Sequence, residues 1–464
     1  MAVNKALLLI PVENQVRELD PKLLLACVAA RRGYSSVVGS RREMEFHIDS
    51  FPPSIYLSKS MTVRSLLFFR AARKLGHEIV AWDEEALVHL PPEIYYSRRL
   101  DPRAIRYVSR LFAWGKDNAE LWEHYPHLPA DLPIHITGNP RSDMLRSDIC
   151  GFYQQEVDNL QKRYGDFILV NTNFNHVNAF GPDLNLFKPA KLPTGKPRFG
   201  RAARGMTREY AEGLRDHKQA VFEDFQRLIP MLDLAFPDFN IVVRPHPTES
   251  HEIYRTIAAS CKRVEVTNDG NVVPWLMAAR ALVHNGCTTG VEAYLMGVPA
   301  LSYRATIDER YDLGFYRLPN LLSHQCFSFE QLRDTLEKAL AGQLEVAGDD
   351  DRQAIIAHYL AARHGPLGCE RMLDVIEEML AAGLDSNSSN TLVRRTVSAG
   401  LQVARNLKYH LPGSHNRPEF QQHRYPGISM AELQQRISRF QELLGDDRQL
   451  TVETISPVLF LISP

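Results

Sequence analysis

Short apolar runs, each closed by polar residues or glycine, alternate with stretches of helical periodicity along most of the chain. Ala6 to Val12 (ALLLIPV) reads as a buried strand that ends at Glu13 and a polar segment, Asn14 to Asp20. Pro21 behind Asp20 predicts a helix that starts there, with Asp20 as its N-cap, and runs to about Arg32 before Gly33 stops it. Ser36 to Gly39, Ser54 to Leu57, Glu78 to Trp82, Leu111 to Trp114 and Ile134 to Thr137 are the next strands, with helices at Met61 to Leu75, Arg103 to Arg110 and Asn118 to His124. Gly151 to Tyr164 reads as a linking helix.

A second series then begins. Phe167 to Val170, Ile241 to Val243, Val264 to Thr267 and Leu282 to Val283 are strands. Thr207 to Leu234, either continuous or kinked or ended early at Pro230, His251 to Cys261, Val272 to Ala279 and Val291 to Met296 are helices. Strand and helix alternating in this way predict an α/β fold of two Rossmann-like, doubly wound domains, residues 1–160 and 161–345. Residues 346–464 form a C-terminal extension that packs back on the first domain, with helices at Asp349 to Leu384, broken at Gly365-Pro366, and Ser429 to Leu444. It includes a Ser/Asn-rich break at Asp385 to Thr391 and a last apolar run, Val458 to Ile462. Phe174 to Gly205 has no periodicity, and is rich in Pro, Gly, Lys and Arg; it is either a lid for an anionic ligand or a solvated insertion.

Composition narrows the class. At 464 residues two cores are expected. Lys+Arg 54 against Asp+Glu 55 leaves a net charge of -1, with no global field to draw nucleic acid. Six cysteines without a CxxC pair suit a reducing compartment. The apolar run in Met1 to Ile10 is short for a signal peptide and no window reaches the ~20 apolar residues of a membrane span, so the expectation is a cytoplasmic protein, peripheral at the inner membrane at most.

Candidate chemistry gathers at strand ends. The strand at Ile241 stops at Arg244-Pro245-His246-Pro247, where two prolines stiffen a loop carrying a cation and an imidazole. Leu282 and Val283 lead into His284-Asn285-Gly286, and Thr288-Thr289-Gly290 opens a helix with Glu292 in its first turn. A strand, a small-residue turn and a helix start form a phosphate cradle. The alternative is a plain helix cap, which needs only one hydroxyl. Glu292 either complements the helix dipole or takes a ribose hydroxyl. Asn171 and Asn173 end the strand that begins at Phe167 and join the donor-binding set. Asp83, Glu84 and Glu85 follow an apolar strand, and are either a solvated acidic loop or a source of a general base or nucleophile. Glu13, Arg17 and Glu18, with Arg141 in TGNPRSD, are candidates for binding an acceptor, against solvated loops and a simple turn. Asp349-Asp350-Asp351 opens a helix and does not end a strand, so no metal is expected.

The stretches IPVENQVRELD, AWDEEAL, FAWG, TGNPRSD, ILVNTNF, VVRPHPTE and HNGCTTGVEAYLMGVPALSY, in that order over residues 6–304, resemble bacterial surface carbohydrate biosynthesis proteins. The chain is more remotely similar to the β-Kdo transferases of capsule and O-antigen assembly and to CMP-sialic acid transferases, whose HP and Ser/Thr motifs hold CMP. The resemblance implies a GT-B glycosyltransferase with two domains facing a central cleft, acting on a CMP-linked Kdo or related ulosonic acid without a cofactor. Its partners would be a nucleotide sugar, a glycan acceptor that is lipid-linked or free, and other polysaccharide assembly proteins. His246-Pro247 would be the HP motif, Thr288-Thr289 the hydroxyl pair and Asp83 the nucleophile or base, although Ala86 stands where those relatives have glycine. Rival expectations are a polyol-phosphate transferase of the teichoic-acid kind, a nucleotide-sugar epimerase, or a non-catalytic nucleotide-sugar-binding subunit.

Overall fold

In a computed structural model, residues 5–188, 197–312, 316–344, 350–383, 397–400, 422 and 424–464 are described. The Ser/Asn-rich break, Asp349, Leu384 and the stretch 189–196 of the basic insertion lie outside them. The chain divides into two compact units: Met1–Leu87 with Arg99–Phe152 and Ala357–Pro464, and Val88–Arg98 with Tyr153–Ile356.

The first unit is built on six parallel strands, β1 (Leu7–Val12), β2 (Ser36–Ser40), β3 (Ser54–Ser58), β4 (Glu78–Ala81), β5 (Arg110–Ala113) and β6 (Ile134–Ile136), in the spatial order β2-β1-β3-β4-β5-β6. The second has β7 (Phe167–Asn171), the two-residue pair β8 (Phe187–Lys188) and β9 (Arg198–Phe199), then β10 (Asn240–Arg244), β11 (Val264–Val266), β12 (Ala281–His284), β13 (Ala300–Tyr303) and β14 (His324–Cys326). Its main sheet is parallel throughout, ordered β11-β10-β7-β12-β13-β14. The fold class is thus α/β with two doubly wound sheets.

Continuous apolar runs make these strands because both faces of a parallel sheet are covered. Side chains alternate between the faces. Ile168, Val170, Ile241, Val243, Ala281 and Val283 pack with the helix Arg208–Ala235. Phe167, Leu169, Val242 and Leu282 pack with Trp275, Leu276 and Ala293 on the other face. The 28-residue helix Arg208–Ala235 continues through Pro230, where the expectation allowed a break. Phe225, Leu228, Ile229 and Leu232 are fully buried around it, and that burial outweighs the roughly 3 kcal/mol that an interior proline costs.

Three expectations change. The first helix begins at Gln15 and carries Pro21 inside it, so Arg17 to Asp20 are helical. Burial decides this: Glu18 and Asp20 are 3% and 4% exposed, each held by cations, which draws the polar segment into the core. Helix Pro92–Arg99 appears where no element was expected, while Arg103 to Arg110 keeps only a 3₁₀ turn, Ile105–Tyr107. Finally, the last apolar run becomes β16 (Leu459–Ser463), preceded by β15 (Thr451–Ser456), and the two extend the first sheet beyond β2 as antiparallel strands. Gly39 permits this, since a Cβ there would sit 2.1 Å from the Val458 carbonyl oxygen.

Asp143 further ties the C-terminal segment to the first unit, accepting hydrogen bonds from the backbone N–H groups of Gly368 (2.8 Å) and Cys369 (2.9 Å) at the start of helix Gly368–Ala381. Among the described residues no helix is long and apolar enough to cross a membrane, and no group of three or more His, Cys, Asp or Glu side chains is arranged to hold a metal ion.

Candidate functional site

The strand order of the second unit reverses between β7 and β12, and in open α/β sheets ligands bind beyond the carboxyl ends of the strands at such a switch point. Register places three of the expected residues there in a row, with Arg244 on β10 and His284 on β12 both opposite Asn171 on β7. Their roles differ from the expectation. Arg244 donates from Nη1 to the Asp269 carbonyl (2.8 Å) and from Nη2 to that of Gly270 (3.0 Å), and it stacks over Trp275. Burial lowers it to about 10, and its guanidinium positions the loop after β11, where a direct clamp on a ligand's charge was expected.

His284 is likewise a positioning group. It is fully buried, its Nδ1 accepts from the backbone N–H of Gly286 (3.0 Å) and Cys287 (3.2 Å), and its Nε2 meets Ser323 Oγ at 2.8 Å. Two donors on Nδ1 put the ring proton on Nε2, and burial holds the ring neutral, its pKa lowered to about 3. The imidazole therefore shapes the turn, with both ring nitrogens engaged inside the protein. Gly290 lies against that ring, where a Cβ would come 2.6 Å from His284 Nε2. Gly286 has φ +80° and touches Tyr316. Helix Thr289–Leu295 starts two residues earlier than expected; Thr288 makes no side-chain cap, and Glu292 is buried in the first turn.

What remains for a ligand is polar and unsatisfied. Asn285 is 6% exposed, and neither its Oδ1 nor its Nδ2 has a hydrogen-bond partner. Asn171 Oδ1, 3% exposed as a residue, is in the same state, as is Thr289 Oγ1. Asn173 is buried further along the same loop. A buried amide without partners costs several kcal/mol in an apolar setting, so such groups mark a place that a polar molecule fills.

His246 stands on the neighbouring loop, half-buried. Its Nδ1 meets Thr248 Oγ1 (2.9 Å) and accepts from Thr248 N (3.3 Å), which leaves the neutral ring's proton on Nε2. The loop is pinned by Glu249, which sequence reasoning passed over. That carboxylate is 2% exposed and accepts from His246 N, Phe174 N, Thr172 Oγ1 and Tyr254 OH. Burial raises its pKa although those four donors stabilise the charge. Its position three residues after His246, in PHPTE, was the available signal.

In the first unit the switch point lies between β1 and β3, and Glu13 and Lys59 follow those two strands. A network of charges fills it. Glu18 binds Lys22 (2.8 Å) and Lys59, and Lys59 also reaches Glu13 (3.1 Å). Arg41 and Arg424 complete the shell of Glu13. Burial opposes the Glu13 charge, but Lys59, Arg41 and Arg424 outweigh it and lower the group to about 2. Glu13 and Glu18 are therefore engaged as internal counter-ions. Arg17 pairs with Glu85 at 2.8 Å, and despite partial desolvation Arg17, Arg99 and Arg141 hold Glu85 at about 2.

The acidic triplet separates sharply. Asp83 is 1% exposed and gripped by Arg99 across both oxygens, with Nε to Oδ2 at 2.9 Å, so both oxygens of the expected nucleophile are engaged. Glu84 is 4% exposed. Its Oε1 accepts from Trp82 Nε1 (3.0 Å), and its Oε2 has no hydrogen bond, with Lys22 3.7 Å from Oε1 and Arg141 3.9 Å from Oε2. Arg141 sits beside Asn139, which caps helix Pro140–Asp143, so the TGNPRSD segment is both a helix start and a neighbour of Glu84.

No family model matches the chain, and no curated protein does. Among solved structures it is similar to the UDP-GlcNAc 2-epimerase of Methanocaldococcus jannaschii in complex with UDP-GlcNAc and UDP, at 12% identity, 80% of this chain and 99% of that one, TM-score 0.46. It is also similar to the wall teichoic acid polymerase TagF (11% identity, 82% and 90% covered, TM-score 0.48) and to the UDP-GlcNAc 2-epimerase of Neisseria meningitidis bound to UDP-GlcNAc (13% identity, 81% and 99% covered, TM-score 0.46). Similarity at this level assigns no activity.

Proposed function

We propose that the protein is a nucleotide-sugar-dependent glycosyltransferase of the GT-B type in bacterial surface polysaccharide synthesis, its donor a CMP-activated Kdo or related ulosonic acid. The observation that carries the donor half is Asn285, a buried amide with both ends unpaired at the β7–β12 switch point, beside the unpaired Asn171 oxygen. A nucleotide offers donors and acceptors to match them. His246, with its proton on Nε2, is suited to donate to the phosphate as the bond from the anomeric carbon to the phosphate oxygen breaks. The HP and Thr-Thr motifs support a CMP donor through the resemblance already drawn.

For the acceptor half, Glu84 is the better general base of the acidic triplet, because its Oε2 alone combines burial with a free lone pair. It would take the proton of the acceptor hydroxyl as that oxygen bonds to the sugar carbon. Asp83 is then a positioning residue, holding Arg99. The reaction needs no cofactor; its partners are the nucleotide sugar and a polysaccharide or lipopolysaccharide acceptor.

The test is CMP release and product mass on incubation with CMP-Kdo and surface-glycan acceptors. Glu84→Gln is expected to lower kcat by about 10²–10⁴-fold while melting as the wild type does, and His246→Ala to lower it by a similar factor. Full activity in both variants would contradict the site; an isomerised nucleotide sugar formed without acceptor would contradict the transferase reading.

A further inference from the structure

One buried lysine in the second unit makes no ion pair among the described residues. Lys218, on helix Arg208–Ala235, is 2% exposed, and its ammonium lies 3.3 Å from the centroid of the Tyr316 ring. Among the described residues it makes no hydrogen bond or ion pair. Asp312, the carboxylate that acts on it, is already held by His217 Nε2 (3.0 Å) and Arg304 Nη2 (2.8 Å). Burial lowers the Lys218 pKa to about 7, against the pull of Asp312.

Apart from Asp312, the groups around it are cationic or neutral. His176, on the loop after β7, has a buried Nδ1 without a partner. Burial, and then the charges of Lys218, Arg98 and His246, lower its pKa to about 3. Tyr316 links this cluster to the turn after β12, since a Cβ on Gly286 would meet Tyr316 Cδ1 at 2.9 Å. His176 thus lies within electrostatic reach of both Lys218 and His246, and Lys218 is one aromatic ring from the turn that carries Asn285.

A cation over a desolvated ring gains less than burying an unpaired ammonium costs. A methionine would pack there without that penalty. The missing counter-charge is best supplied by a ligand.

We propose that Lys218, with His176 beside it, is an anion seat that takes the charged oxygens of a nucleotide sugar, either its phosphates or a carboxylate on its sugar. This rests on the nucleotide-sugar reading above for the identity of the ligand, but not for the existence of the seat.

Calorimetric titration of the full chain with inorganic pyrophosphate, UDP-GlcNAc and CMP-N-acetylneuraminate tests it, with Lys218→Met and Lys218→Gln beside the wild type and melting temperatures for each. The expected result is binding weakened by at least about tenfold in both variants, with a melting temperature equal to or above the wild type's for Lys218→Met. Losses confined to pyrophosphate and UDP-GlcNAc assign the seat to phosphate; a loss confined to CMP-N-acetylneuraminate assigns it to the sugar carboxylate. Undiminished affinity in the variants overturns the proposal. So does weaker binding with a lower melting temperature in both, which marks a structural lysine. Wild-type binding of pyrophosphate alone, lost in the variants, upholds the seat and removes the nucleotide-sugar reading; no binding of any probe removes both.

Discussion

At the scale of single residues, the partner of each charge decides its role. Glu249 illustrates a carboxylate whose value lies in the backbone it holds. Its replacement by alanine leaves the N–H groups of His246 and Phe174 and two hydroxyls without their acceptor, each worth roughly 1–3 kcal/mol when buried, so a loss of at least about 3 kcal/mol in denaturant unfolding is expected. Lys218 has a pH signature. Its folded pKa of about 7 lies below the ordinary 10.5, so between those values the unfolded chain binds more protons and stability rises with pH. Asp312, His176 and Tyr316 are the titratable groups around it; His176, at about 3, is silent in that window. Lys218→Met should flatten the rise, as measured by unfolding at pH 7 and pH 9. These roles were only partly legible beforehand. The residue types at strand ends pointed to chemistry, yet Asp83 and Glu84 could not be told apart, because their partners Arg99, Lys22 and Arg141 come from three other parts of the chain. Glu18 and Lys22, four apart, were a readable pair only once the helix was known to begin at Gln15.

At the scale of elements, the turn after β12 works because a glycine lets a helix start against a buried imidazole. Gly290→Ala would place a methyl 2.6 Å from His284 Nε2, and overpacking of this kind typically costs about 1–3 kcal/mol. The shift should also displace Asn285, so nucleotide affinity is expected to fall with stability. Gly342→Ala is the control: it has φ +69° and nothing within 4 Å, so it should lose stability and leave affinity unchanged. Strands buried on both faces, such as β1, β3, β7, β10 and β12, were readable as apolar runs. β15 was not, since its residues are exposed or only half-buried and include Thr451, Glu453 and Thr454, which carry no apolar signal.

At the scale of the whole molecule, the chain's order is not the order of its units. Residues 88–98 belong with the second unit, where Arg98 donates to the carbonyls of Ala202 (2.6 Å) and Arg204 (2.9 Å), and the stretch from Ala357 onward belongs with the first. Truncation after Asp447 would remove β15 and β16 and bare the edge of β2. Aggregation of the truncated chain is therefore expected, read by light scattering, whereas a monomeric truncated protein with an unchanged unfolding midpoint would show that the added strands are dispensable. No local pattern announces such returns, because they depend on register between segments over four hundred residues apart, as between Ser36 and Ile462.

On the proposed function, the β7–β12 switch point holds a nucleotide through Asn285 and Asn171. A crystal structure with CMP soaked into the protein tests it most directly. CMP atoms are expected within hydrogen-bond distance of both the Oδ1 and Nδ2 atoms of Asn285 and of Asn171 Oδ1. CMP bound elsewhere, with both amides still unpaired, would contradict it.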